Sequence, residues 1–404
     1  MSRLAGSYRA PRVLLVTPQP FYEDRGTPIA VADTARALGQ LGCTVDLLAF
    51  PIGENISIPG TALHRCSNPF RVRSVPIGFS ARKCMLDVSL CRSFERMLRS
   101  NRYDVVHAVE EASYLALTLC KIHHVPFIYD MASAIPLELR SHSVLGRPAA
   151  QRALQMMEKR VLQKAAHIVC SMGLSDYVRE REPQAKVIDW RFSAAGAEPN
   201  PEHVQRLRSD LKLGARSRVV LYSGNFARYQ GIDMLFEAFS RAAQADPALT
   251  LLCVGASEEA REGWLRRLNH AQRSRVRILT RRPRSTMPAF FALADCLVSL
   301  RPTSNNVPLK VFEYMAAGKP IVATKGPAHE PVLNSERAFL CEPTPESVSH
   351  AMLDVFRQRS RAESVARSAH EHAENHFGWR DFKRLVADVY GSVIRDPKAK
   401  RVLM

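Results

Sequence analysis

The chain has 404 residues, 46% hydrophobic and 24% charged, which excludes a disordered protein and leaves room for two full cores. Its 57 Lys and Arg outnumber 39 Asp and Glu, for a formal charge of +18, so anionic partners are expected. No uncharged apolar run approaches the ~18 residues needed to cross a bilayer, and the apolar stretch 13–16 is too short for a signal-peptide core, so the chain reads as soluble and intracellular.

The nine cysteines are odd in number, never spaced C-x-x-C, and mostly set in apolar runs. That is the pattern of reduced, buried cytosolic thiols, and neither a metal site nor a cofactor is implied.

Along the chain, apolar strand-like runs alternate with amphipathic helical stretches, which argues for parallel sheets covered by helices on both faces. In the first half the runs are 13–17, 45–50, 105–108, 127–129 and 168–171. After the first run, Gly26 and Thr27 precede a helix that carries Ile29, Val31, Ala32, Ala35 and Leu38 on its apolar positions. This also reads as a plain strand-to-helix turn with Pro28 as its start signal.

Residues 65–102 carry nine Lys or Arg against Asp87 and Glu95, with Phe70, Met85 and Leu86 among the interleaved apolar residues. A second stretch, 261–284, holds nine arginines against Glu262 alone. Basic surfaces with apolar residues between the charges suit an anionic membrane leaflet or a phosphate-bearing lipid, with an ordinary solvated surface as the plain alternative. No helix-turn-helix spacing, zinc signature or aromatic RNA-binding motif accompanies them, so no nucleic acid partner is expected.

Two sets follow strand ends, where ligand-facing residues are expected in parallel sheets. They are Glu110 and Glu111 after 105–108, and Asp130 after 127–129. Carboxylates there could orient a ligand hydroxyl. They could also cap the helices that follow.

The densest Gly/Pro break, residues 194–201, reads as an interdomain linker. Beyond it, strand-like runs recur at 219–223, 249–254, 276–279, 296–300, 321–323 and 339–341. The loop after 219–223 carries Gly224, Asn225, Arg228, Gln230 and Gly231 and opens a helix. Its glycines would let backbone amides approach a phosphate, although a plain turn has the same composition.

The most informative segment is 305–324. Pro308 sits where a first helical residue should, with Asn305 and Asn306 as cap candidates, and Gly318 with Pro320 stops the helix. At 100° per residue, Leu309, Val311, Phe312, Met315 and Ala316 share one arc, while Lys310, Glu313, Tyr314 and Ala317 share the other. The helix N-terminus and Lys310 would meet a diphosphate, and Glu313 would accept from ribose hydroxyls. An amphipathic helix with Lys310 and Glu313 as a solvated pair is the plain alternative.

The run from Pro308 through Lys310, Glu313-Tyr314-Met315 and Gly318-Lys-Pro-Ile-Val-Ala323 resembles the donor-binding signature of family 4 retaining glycosyltransferases of the GT-B fold. The loops at Gly26, Gly224 and Asp130 are similar to that family's motifs and appear in its order. Departures are Asn305 where the family has a donor-sugar Glu, Asn225 and Gln230 where it has Arg and Lys, and Ala132 where His is common.

The resemblance implies a GT-B α/β protein of two doubly wound, Rossmann-like domains facing across a cleft. Residues 1–193 would be the acceptor side, 194–215 a linker, 216–378 the nucleotide-sugar side, and 379–404 a helix crossing back. It implies metal-independent transfer of a sugar, with retention, from a nucleotide-diphosphate sugar to a lipid-linked or polysaccharide acceptor in cell-surface glycan assembly. The donor contacts would be Gly26, Thr27, Gly224, Asn225, Arg228, Gln230, Gly231, Asn305, Asn306, Pro308, Leu309, Lys310 and Glu313, with Glu110, Glu111 and Asp130 as catalytic candidates. Lys310, helped by Arg228, would replace the charges missing at Asn225 and Gln230. The place of action would be cytoplasmic, peripheral on the inner face of the membrane. A GT-B nucleotide-sugar epimerase and a non-catalytic sugar-nucleotide-binding protein are the alternatives.

Overall fold

A computed structural model describes residues 9–23, 26–75, 80–190, 199–302 and 306–395. The chain divides into two compact units, Met1–Arg191 with Arg380–Met404, and Phe192–Trp379.

The first unit runs β1 (Arg12–Val16), α1 (Gly26–Gln40), β2 (Thr44–Ala49), β3 (Thr61–Arg65), α2 (Ala81–Ser100), β4 (Val105–Val109) and α3 (Ala112–Ile122). It continues with β5 (Phe127–Met131), α4 (Ile135–Glu138), α5 (Pro148–Lys164), β6 (His167–Ser171), α6 (Ser175–Arg181) and β7 (Val187–Trp190). Its sheet is parallel throughout, in the order β3-β2-β1-β4-β5-β6-β7. Every residue of β4, β5 and β6 is buried, as continuous apolar runs covered on both faces should be.

The second unit runs α7 (Pro201–Asp210), β8 (Arg218–Ser223), α8 (Ile232–Ala245), β9 (Leu249–Ala256), α9 (Glu258–Arg267), α10 (His270–Arg275), β10 (Val276–Thr280) and α11 (Met287–Leu293). It continues with β11 (Cys296–Ser299), α12 (Leu309–Ala316), β12 (Ile321–Thr324), β13 (Phe339–Cys341), α13 (Pro345–Arg357) and α14 (Arg359–His376). Its parallel sheet has the order β10-β9-β8-β11-β12-β13.

The last helix, α15 (Trp379–Arg395), packs its apolar stripe on the first unit: Phe382 meets Trp190 edge-on at 5.4 Å, and the Tyr390 hydroxyl lies 2.7 Å from His107 Nδ1. In each sheet the order in which strands are added reverses once, between β1 and β4 and between β8 and β11. The carboxyl ends of those strand pairs are where doubly wound sheets bind ligands.

Two sequence expectations shift here. Part of the expected linker, 194–198, lies outside the described residues, and α7 follows within it as a capped helix, with the Asn200 side chain accepting from Glu202 N–H. The arginines of 261–284 are mostly tethered within the unit. Arg273, Arg275 and Arg277 donate to the carbonyl oxygens of Leu268, Ala243 and Leu211, while Arg261, Arg266, Arg267 and Arg284 pair with carboxylates. Arg266, Arg267, Arg273, Arg281 and Arg282 nevertheless keep exposed side chains, so the stretch is braced within the unit and still basic at its surface.

Candidate active site

In the second unit the site grows from the end of β8. Gly224 has φ +136°, open to glycine and strained for other residues, and a Cβ there would lie 3.0 Å from the Lys310 amine. The next strand comes equally close, since a Cβ on Gly255 would sit 2.6 Å from the Gly224 carbonyl oxygen. Asn225 Oδ1 accepts from the Ala227 N–H at 3.1 Å and so folds the loop upon itself. A short 3-10 turn over Arg228–Gln230 ends at Gly231, whose φ of +68° opens α8.

Lys310, in the first turn of α12, is 8% exposed. Its amine donates to Gln230 Oε1 at 3.0 Å and stands 4.0 Å from the centre of the Tyr222 ring. It forms no ion pair among the described residues. Burial, and then the nearby Arg301 charge, hold its pKa well below the ordinary lysine value. A buried amine held by a neutral amide and a ring face is a place where an incoming anion gains most.

Three neighbours complete this end of the sheet. Arg301, two residues past the end of β11, donates to Asn306 Oδ1 at 2.9 Å and lies 4.9 Å from the Tyr229 ring centre. Glu313 accepts from Arg284 Nε at 3.1 Å and is partly exposed. His329 is fully buried, with Nδ1 2.7 Å from the Thr324 carbonyl oxygen, so Nδ1 carries the proton and Nε2 accepts from the Ser299 hydroxyl at 2.9 Å. Burial pushes this imidazole down to about 4, and it stays neutral as a brace between the ends of β11 and β12.

Several sequence readings change in detail. Pro308 precedes α12 with ψ 142° instead of opening it, and no side chain caps the helix. Asn306 is bonded to Arg301, while Asn305 lies outside the described residues. The two-arc picture of α12 fails at Tyr314, which is fully buried and whose hydroxyl accepts the Ser223 N–H at 2.8 Å. Leu309 is only half-buried. Arg228 is exposed, with no side-chain partner among the described residues; the cation beside Lys310 is Arg301. Arg301 and His329 were findable from their places just past strand ends, whereas Arg284 carries no such signal.

In the first unit, Gly26 and Thr27 form the first turn of α1 beyond β1, and a Cβ on Gly26 would meet nothing within 4 Å. Across the sheet reversal, Gln19 Nε2 donates to Glu110 Oε2 at 2.6 Å. Glu110 adopts φ +47°, held by its N–H to the Asp130 carbonyl oxygen at 2.8 Å and by the Ser113 hydroxyl on its own carbonyl at 2.7 Å. Burial and the adjoining Glu111 charge raise Glu110 to about 8. Glu111 pairs with Lys83 of α2 instead of capping α3. Asp130 is 6% exposed, and its Oδ2 lies 3.1 Å from His107 Nε2 in a buried chain that ends at Tyr390. The structure thus gives Asp130 a bracing occupation and leaves Glu110 and Glu111 at the strand end. Among the described residues no three His, Cys, Asp or Glu side chains are grouped to hold a metal ion.

Two parallel-sheet, Rossmann-like units on one chain are the architecture of GT-B glycosyltransferases. Known proteins agree: a "Glycosyl transferase 4-like domain" matches residues 25–188, and "Glycosyl transferases group 1" matches 217–358. The chain belongs to the family 4 type of GT-B glycosyltransferases. It is 20% identical over 324 residues to spore coat protein SA of Bacillus subtilis, covering 72% of this chain and 79% of that protein. Among solved structures, it resembles sucrose-phosphate synthase from Thermosynechococcus elongatus with TM-score 0.79 at 18% identity, covering 95% and 99% of the two chains. Anabaena HepE in complex with UDP-glucose follows with TM-score 0.72 at 18% identity, covering 94% and 99%.

Proposed function

We propose that this glycosyltransferase transfers a sugar, with retention and without a metal, from a nucleotide-diphosphate sugar to a lipid-linked or polysaccharide acceptor. The observation that carries the reading is Lys310, a buried amine with no ion-pair partner among the described residues, 3.0 Å from Gln230 at the carboxyl edge of the second sheet. Lys310 and Arg301 would offset charge on the departing diphosphate, and Glu313 would take the ribose hydroxyls once exchanged from Arg284. The sugar's anomeric carbon–phosphate-oxygen bond breaks while the acceptor oxygen bonds to the same face. The acceptor proton passes to the leaving phosphate oxygen, so no protein nucleophile is needed. Gly26 and Thr27, at an uncrowded helix start, would admit the donor on the first unit's side, with Glu110 or Glu111 holding the acceptor hydroxyl.

A lipid-linked acceptor would place the protein at a membrane surface. The exposed large apolar residues among the described ones, Phe70, Met85, Val88, Ile122, Val144, Met156 and Met157, all belong to the first unit. On α2, Met85 and Val88 stand among Arg82, Arg92 and Arg96, whose side chains have no partner among the described residues. No described helix is long and apolar enough to cross a membrane.

The test incubates purified protein with sugars on uridine, guanosine and adenosine diphosphate and follows nucleoside diphosphate release, with the product anomer read by NMR. Release with a retained anomer is expected. Donor isomerisation without release would favour an epimerase, and binding without turnover a non-catalytic binder.

A further inference from the structure

The second unit carries another feature at the opposite edge of the same sheet. Arg218 opens β8, Asp295 precedes β11, and Lys319 precedes β12; together they line a cavity of about 690 Å³ at the amino ends of these strands. Gly224, just past the end of β8, and Lys310 lie at the other end, one strand length or roughly 20 Å away. The far wall is α14, which contributes Arg359, Glu363 and Arg367. The volume is that of a small-metabolite pocket and far exceeds a bare oxyanion.

The charge inside is unbalanced. Asp295 spends one carboxylate oxygen on the Val219 N–H at 2.8 Å, and Arg218 is paired with Asp246 at 2.5 Å. The side chains of Lys319, Arg359 and Arg367 form no ion pair or hydrogen bond among the described residues. Glu363, four residues from each of the two arginines, pairs with neither. Burial lowers the Lys319 pKa in spite of the opposing Asp295 charge, so the amine is already partly stripped of water. Val355 and Phe356 supply an apolar side to the same space. Cations gathered from three chain segments around a concave, partly apolar volume match a phosphate group carried on a small organic body.

We propose that this cavity is a second ligand site, separate from the donor site, for a small soluble phosphate monoester. Lys319 and the two arginine forks hold the phosphate, and the wall of Val355 and Phe356 holds the body. The site touches the donor machinery through α12: Lys310 lies in its first turn, Ala317 and Gly318 line the cavity past its end, and His370 Nδ1 donates to the Ala316 carbonyl oxygen at 2.8 Å.

The experiment titrates the full chain by calorimetry with inorganic phosphate, glycerol 3-phosphate and glucose 6-phosphate, with glucose as the neutral control. It is repeated on Lys319→Gln, on the surface double variant Arg359→Gln/Arg367→Gln, and on Lys310→Met. At least one ester should bind more tightly than phosphate, and glucose should not bind. Affinity should fall about tenfold or more in both cavity variants and be retained in Lys310→Met. The double variant changes exposed side chains only, so its loss of binding is not a loss of fold. Three results overturn the proposal: no saturable binding by any ester, binding unchanged in the double variant, or binding lost in Lys310→Met alone, which would place the anion in the donor site. The last outcome leaves the donor reading intact, whereas a failed donor reading would leave this cavity's binding untouched.

Discussion

At the scale of single residues, the decisive quantity is the solvation of Lys310. Its pKa is depressed by burial and by Arg301, and a bound diphosphate would raise it. The sign follows from linkage: the bound state holds more protons than the free state between the two pKa values. Donor binding then takes up a proton in that interval, and affinity rises as pH falls through the upper value. Calorimetry in two buffers of different ionisation enthalpy should show this uptake, and Lys310→Met should remove it. Equal apparent enthalpies in both buffers for the native chain would contradict the assignment. Gly26 offers a complementary test. Because a Cβ there meets nothing within 4 Å, Gly26→Ala should leave Tm unchanged, yet lower kcat/KM on the order of tenfold if the donor passes close to this backbone. Unchanged kinetics would make Gly26 a plain helix start.

At the scale of elements, α12 is positioned by its buried side as much as by its sequence signature. Tyr314 joins it to β8 by accepting the Ser223 N–H, so Tyr314→Phe leaves a buried donor unmet and should cost about 1–3 kcal/mol, read as a lower Tm. An unchanged Tm would mean that another acceptor replaces the hydroxyl. This contact was illegible in the sequence, where Tyr314 fell on the polar arc with Lys310 and Glu313. The interior strands, by contrast, were legible because burial on both faces forces continuous apolar runs, as in β4 and β11. The edge strand β3 escaped notice because its residues alternate between exposed and half-buried. Composition could not separate two uses of arginine in 261–284: Arg275 caps the Ala243 carbonyl oxygen, while Arg281 and Arg282 stay exposed. Lys310 was legible because a motif marks it, while its partner Gln230 stood out only as a departure from that motif.

At the scale of the whole molecule, the large apolar side chains left exposed among the described residues all belong to the first unit, and the membrane proposal places the contact there. Vesicles rich in phosphatidylglycerol should pellet the protein at low salt and release it near 0.5 M salt, as screening shortens the reach of charge. Arg92→Gln/Arg96→Gln with Met85→Gln should weaken pelleting severalfold, and salt-insensitive or absent pelleting would remove the membrane proposal. The central claim, that Lys310 holds the leaving diphosphate, is tested most directly by comparing kcat/KM for the preferred nucleotide sugar between the native chain and Lys310→Met, a swap that keeps the side chain's length. The account predicts a loss of at least about 100-fold with both proteins folded. Equal turnover in the two would contradict it.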